Sequence, residues 1–425
     1  MLEYKSTLAT LDANQPAIEA RDLRYKGRAP LRYAADEIRG DLKHFNVNLC
    51  RLAIDAVAER MRIKKFTCRD NKGNDLSERA ARVWARCNMD QLLMPVLVDA
   101  LALGSAYLIV WQDSSGKATI TAESAKQVAV TRDPVSGEVT HAVKRWDTVD
   151  ASGAVQNEHL VTYGKDKVTR YERKAGQVWT SKETINNPLG VVPVIPLINF
   201  ASLGDLDGYS VIDDLAPLVD ALSKVIADML VASEDVARPR RWATGVDLEE
   251  DDGPAADGFI ADEQPEAPAR SEVVSPFETG NRMFTVESPE AKFGQLPGAD
   301  LAGYKTAVEL LLQQIMSVSA LPAHMMGVTS ANPSSADAIR AAEASLTARS
   351  ESRINVLGIA LERAVSLAVA IELAKPPEVI MAVAHWASAG TKSTAQEADA
   401  VTKLHALGII STAEAREMMG ISNAD

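Results

Sequence analysis

The stretch from Ser335 to Ala374 constrains this chain more than any other. It is rich in alanine, carries no proline, and is closed by Lys375-Pro376-Pro377. Ser334 and Ser335 offer N-caps, and Ser334 with Asp337 has capping-box spacing. The pattern predicts one helix of about 40 residues, ~60 Å long at ~1.5 Å per residue. Helices in globular proteins average about 3 to 4 turns. A helix this long needs neighbours along its whole length, so the rest of the chain, or further copies of it, must pack around it.

The 425 residues allow about three domains. An apolar fraction of 46% with only 5% aromatics points to helices packed through small residues. No run approaches the ~18 to 20 uninterrupted apolar residues of a membrane helix. The best, Val356 to Leu373, carries Glu362, Arg363 and Glu372. The first ten residues lack the apolar core and cleavage site of a secretory signal. Cys50, Cys68 and Cys87 form no CxxC pair, which predicts buried or partly buried thiols in a reducing cytosol. The net charge is −13, and it is uneven. Val246 to Asp300 holds 14 acidic and three basic residues, a balance of −11, leaving 44 acidic against 42 basic elsewhere. Bulk acidity argues against tight, nonspecific wrapping of nucleic acid.

Residues 1–30 show no clear period and read as an irregular arm with a solvated basic cluster, Arg21, Arg24, Lys26 and Arg28. Asp36 to Met61 and Leu76 to Leu103 read as helices, the second kinked or broken at Pro95. From Ser105 the period changes to 2. Six strands between Tyr107 and Glu172 predict an antiparallel sheet region, with turns at Ser114-Ser115-Gly116, Asp133-Pro134 and Ser152-Gly153. Pro188, Pro193 and Pro196 force the apolar segment Asn187 to Phe200 into an extended, edge-like path against a core. Helices follow at Asp207 to Val236 and Leu301 to Val318. The acidic, proline-bearing segment between them reads as a small loop-rich domain or a partly disordered insert. A strand at Glu378 to Trp386 and helices at Thr394 to Leu407 and Ala413 to Met419 complete an α+β chain.

The patterns that carry catalysis are missing. None of His44, His141, His159, His324, His385 and His405 lies in an HExxH arrangement, and no GxSxG elbow occurs. Gly390-Thr391-Lys392-Ser393-Thr394 lacks the glycines of a phosphate loop and reads as a loop capping the next helix. Glu249-Glu250-Asp251-Asp252 lacks EF-hand spacing and reads as a solvated acidic loop. His324 beside Met325 and Met326 has no further soft-metal ligand nearby. No catalytic residue, metal or cofactor is expected.

The order of four segments says more. They are Asn46 to Met61; the proline-spaced Gly190 to Asn199 ahead of a helix; Leu321-Pro322 through Gly327 to Asn332-Pro333-Ser334-Ser335-Ala336-Asp337, with Glu343; and Ala398-Asp399-Ala400 with Gly408-Ile409-Ile410-Ser411 and Gly420-Ile421-Ser422. In this order the chain resembles the portal proteins of tailed double-stranded DNA phages, in the branch of long-tailed phages and prophages. The resemblance implies a ring, normally of twelve subunits, at one capsid vertex of the virion, after assembly in the host cytoplasm. DNA enters and leaves through its axis. It implies an arm (1–35), a wing of helices and antiparallel sheet (36–206 and 334–386), a helical stem (207–240 and 300–319), an acidic clip (241–299), a tunnel loop (320–333) and a helical crown (387–425). Implied partners are further copies, the terminase large subunit, major capsid and scaffolding proteins, a head-completion or adaptor protein, and duplex DNA bound without sequence specificity, with no membrane.

On this reading Leu321, Pro322, His324, Met325, Met326, Gly327, Val328 and Asn332 line the channel. Glu249, Glu250, Asp251, Asp252, Asp262 and Glu263 of the clip face a partner. Arg240, Arg241, Tyr304 and Lys305 belong to the stem. An acidic wall repels phosphate and keeps a duplex sliding. The methionines also fit as core filler under the loop, a common use of Met. Two rivals stand beside this reading: an enzyme with an unrecognised site, and a structural or adaptor protein of a phage head without a DNA channel.

Overall fold

The computed structural model describes residues 3–32, 45–174, 176–204, 207–237, 241–244, 290, 292–295, 301–327, 335–390 and 394–419. They fall into two units, Met1–Val225 with Ala307–Asp425, and Ile226–Thr306.

The chain opens with a helix, α1 (Glu3–Tyr25), where an irregular arm was expected. Its apolar residues are few, so its period is faint. Yet Leu11 and Ile18, two helical turns apart, are both buried. Tyr4, Leu8 and Leu11 pack with Ala129, Val143, Leu160, Tyr171 and Trp179. The basic cluster is not simply solvated. Arg21 forks onto Asp213 at 3.1 and 2.6 Å, and Arg24 pairs with Asp220 at 2.7 Å.

Helix α2 (Leu49–Ala58) is capped by the Asn48 side chain, which accepts from the Arg51 amide at 3.2 Å. It starts later than expected: 45–48 are not helical, and 33–44 lie outside the described residues. After strand β1 (Ile63–Asp70) come α3 (Ser77–Arg86) and α4 (Met89–Leu103). The break expected at Pro95 falls at Asn88, with φ 52° and ψ 35°, a left-handed conformation that asparagine tolerates. Trp84 Nε1 donates to Asp90 Oδ1 across that corner at 2.7 Å. Pro95 sits inside α4, at the cost of one helical hydrogen bond.

The expected single sheet region is two sheets. Strand β2 (Ser105–Gln112) is flanked by β3 (Ala118–Ser124) and β9 (Val194–Ile198), all antiparallel. β9 lies at the edge, where Pro196 within it is tolerated. The second sheet is a meander of β4 (Val128–Arg132), β5 (Val139–Val149), β6 (Val155–Tyr163), β7 (Lys167–Lys174) and β8 (Thr180–Asn186). The carboxylates of Asp133 and Asp150 set two of its turns, and that of Asp113 sets the β2–β3 turn. Each accepts from the amide two residues on, at 2.8, 2.9 and 2.8 Å.

Helix α5 (Val211–Ala237) and helix α6 (Ala302–Ser319) each begin in one unit and end in the other. In the second unit β10 (Arg241–Thr244) pairs antiparallel with β11 (Lys292–Gln295).

Helix α7 (Ala336–Leu373) has 38 residues, about 57 Å at ~1.5 Å each. Ser335, rather than Ser334, is its cap and accepts from the Ala338 amide at 3.2 Å. Its C-terminal half is a core helix. Leu357, Leu361, Ala364, Val365 and Ala368 are buried, against α3, β2, β9 and β12 (Ile380–Trp386) among others. Both carboxylates in this half have partners. Glu362 accepts from the Ala384 amide at 2.9 Å, and Glu372 takes Arg86 at 2.5 Å and Arg79 at 3.4 Å. By length and composition α7 could cross a membrane, but most of its apolar window is already buried in the protein. β12 pairs with β1 in a two-stranded sheet. Helices α8 (Thr394–Ala406) and α9 (Thr412–Met418) follow, α9 opened by a reciprocal capping box between Ser411 and Glu414 at 3.2 and 2.8 Å.

Candidate functional site

The segment joining α6 to α7 is the part of the chain singled out as channel-lining. α6 ends at Ser319, and Ala320 reverses the chain with φ 60°. Ser319 Oγ accepts from the Leu321 amide at 3.2 Å. Leu321 is 3% exposed and Pro322 is buried, so these two root the segment in the core. Ala323–Met326 form one 3-10 turn, closed by Gly327 in a left-handed conformation. His324, Met325 and Met326 are half-buried and Gly327 is exposed. Val328 and Asn332 lie outside the described residues.

A buried ionic cluster holds this turn. His324 Nε2 lies 3.4 Å from Glu343 Oε1, and Arg60 Nη2 lies 3.2 Å from Glu343 Oε2. Arg60 Nη1 also reaches the Ala389 carbonyl at 3.5 Å. Glu343, 7% exposed, would be costly to bury without partners. It therefore ties the turn to α7, to the end of α2 and to the chain after β12. Nδ1 of His324 and Nε of Arg60 are buried without a hydrogen-bond partner. Glu343 belongs to a motif visible in sequence. Arg60 was not a candidate, because nothing local marks a residue whose partner is so distant in the chain.

The clip residues Glu249, Glu250, Asp251, Asp252, Asp262 and Glu263, with Arg240, lie outside the described residues. Arg241 is in β10, and Tyr304 and Lys305 are in the first turns of α6. The Gly390 loop is described only at its ends. Among the described residues no group of three or more His, Cys, Asp or Glu could hold a metal ion. Cys50 and Cys68 are buried and Cys87 is half-buried, as the sequence suggests. Beside the five-stranded sheet a cleft of 630 Å³ is lined by Trp111, Lys144, Trp146, His159, Arg170 and Glu172 among others. Trp146 stacks on His159 at 5.1 Å. The mixed charges of this cleft do not make the row of cations that a nucleic acid backbone requires.

What these residues do is hold one element to another. A family model described as phage portal protein, SPP1 Gp6-like, matches residues 6–425. The chain belongs to this family of structural phage proteins. It is 27% identical over 401 residues to the portal protein of Mycobacterium phage D29, covering 89% of this chain and 77% of that protein. The portal protein of Mycobacterium phage L5 is 27% identical over 398 residues, covering 89% and 76%. Among solved structures, a chain from the neck of an empty gene transfer agent (GTA) particle has a TM-score of 0.45 at 16% identity, covering 88% of this chain and 89% of that one. A chain from the virion of the native GTA particle has a TM-score of 0.45 at 15% identity, covering 95% and 99%.

Proposed function

We propose that this chain is the portal subunit of a tailed phage or prophage. Twelve copies form a ring at one capsid vertex, and its axis is the channel for DNA packaging and ejection. The observation that carries this is the family match, whose span of residues 6–425 takes in the turn after α6, the long helix and the C-terminal helices. The half-covered helix α7 supports it. Among the described residues its first half buries Glu343, Leu346 and Ser350 along one stripe, and a ring would supply neighbours for the rest of its surface.

In this reading the wing is 36–206 with 334–386, the stem 207–240 with 300–319, the clip 241–299, the tunnel loop 320–333 and the crown 387–425. Met325, Met326 and Gly327 turn their exposed surface to the channel. The acidic clip docks the terminase large subunit and later a head-completion or adaptor protein, while capsid and scaffolding proteins surround the wing. Energy for packaging comes from the terminase.

Negative-stain imaging of the purified protein tests the ring, and the expected result is rings with an axial hole. A 45.7 kDa species alone at every concentration would sink the reading. Rings closed at the centre would favour an adaptor without a channel. The pure protein should show no ATP turnover above background. Turnover that is lost in Lys392→Ala would revive the Gly390 loop as a phosphate site.

A further inference from the structure

We propose that a cavity on the N-terminal half of α7 receives a carboxylate from a second copy of this chain. The inference rests on the ring reading above and assigns one contact within it.

The cavity has a volume of 550 Å³ and is lined by Tyr209, Asp214, Ser345, Arg349, Ser352 and Arg353, among others. Arg349 and Arg353 are four residues apart on α7 and so share one face, where like charges repel. Burial, with Arg349 adding to it, holds the Arg353 guanidinium below its ordinary range. Arg353 Nη1 donates to the Phe200 carbonyl at 2.8 Å. Among the described residues neither arginine forms an ion pair. The carboxylate in the same wall, Asp214, is taken by the Tyr209 hydroxyl. Two guanidinium groups facing one cavity make a fork suited to a single planar anion.

The chemistry favours a protein carboxylate over a DNA phosphate. A duplex is gripped by an extended row of cations. This cavity offers two, with a carboxylate beside them. A second copy is the occupant the chain itself points to. The first half of α7 leaves Ala341, Ala342, Ala344 and Ala348 exposed, a surface of small residues on which another backbone can approach closely. Each copy also carries 58 acidic residues, so a neighbour of the same sequence can supply the carboxylate.

The test uses the full chain. Association of the wild type and R349Q is followed by sedimentation at rising salt, with thermal melts of the dissociated subunit. R349Q is expected to associate at least ~10-fold more weakly, with a flatter salt dependence and an unchanged subunit melt. In a second variant, R349K, the new amine can be joined to a touching carboxylate by carbodiimide. In rings mixed from isotope-labelled and unlabelled chains, the amide is expected to link position 349 to an Asp or Glu of the other isotope. R349Q rings as tight as wild type, or a link confined to one copy, would overturn the proposal and leave the ring reading intact. R349Q that keeps its association but loses binding of a short DNA duplex would overturn it in favour of phosphate. A wild type that never associates would remove both readings together.

Discussion

Gly104 and Gly208 make the closest approach among the described glycines. Their φ angles are 101° and 92°, and a Cβ on Gly208 would stand 2.1 Å from the Gly104 carbonyl oxygen. The Asn199 amide donates to that same carbonyl at 3.0 Å, and Asn199 Nδ2 donates to the Tyr209 carbonyl at 2.7 Å. The ends of α4 and β9 and the start of α5 therefore meet at one point. Gly208→Ala should lose more than about 2 kcal/mol, from the left-handed backbone and the clash together. The check is a lowered urea midpoint at constant m-value; an unchanged midpoint would contradict it. Asp70 carries a pH dependence. The Asn74 side chain, then Lys375 and the amides of Asn74 and Lys72, hold its carboxyl well below the ordinary carboxylate range. A folded pKa below the unfolded one means stability fully present above about pH 4 and lost as pH falls through the folded value. Asp70→Asn should flatten that acid limb in a pH series of melts. Burial pushes the Cys50 thiol up to about 12 and the Cys68 thiol up to about 11. In the native protein at pH 8, a thiol reagent should modify Cys87 first, and mass mapping that finds Cys50 or Cys68 ahead of it would refute this. The cysteines and the turns at 114–116, 133–134 and 152–153 were legible in the sequence because their chemistry is local, although Asp113 and Asp150, which set two of those turns, were not singled out. The Gly104–Gly208 crossing was not, since a sequence shows where glycines stand and not which backbone comes alongside.

Elements were legible where one face carries a strong period. Helices α5, α6 and α7 start and stop within a few residues of their expected limits, because apolar spacing, prolines and capping serines agree there. α1 was hidden because polar residues dilute its buried stripe, and its contacts are made far along the chain. β1 and β8 were missed for related reasons. β8 has a single half-buried residue, Ile185, and β1 acquires its partner only when β12 returns. α1 is nonetheless anchored by charge as well as packing. Arg24 and Asp220 are 12% and 5% exposed, and Arg32 stands 3.7 Å from the same carboxylate. Arg24→Gln leaves Asp220 buried with only that weaker partner, and should cost about 3 kcal/mol by chemical denaturation. At the other end of the fold, Ser335→Ala removes the α7 cap and should cost about 1 kcal/mol. A loss under a few tenths in that variant would mean that the first turn of α7 is held from elsewhere.

At the scale of the whole molecule the question is what the turn between α6 and α7 is for. Its composition was legible: Pro322 and Gly327 break the helices, while Met325 and Met326 keep it apolar. Its anchoring was not, because Arg60 and Glu343 reach His324 from distant parts of the chain. The two readings of the methionines make different predictions. Leu321 and Pro322 already fill the core beneath the turn, and Met325 and Met326 stay half-exposed. Core filler would be buried, whereas a channel surface needs flexible, uncharged side chains that touch a duplex without trapping it. Replacing Met325 and Met326 together with Asp should therefore leave rings intact by negative stain and lower DNA packaging or retention in a complementation assay. If the double variant fails to fold or assemble, the methionines are packing residues. If it assembles and packages DNA as the wild type does, the turn lies away from the narrowest part of the channel.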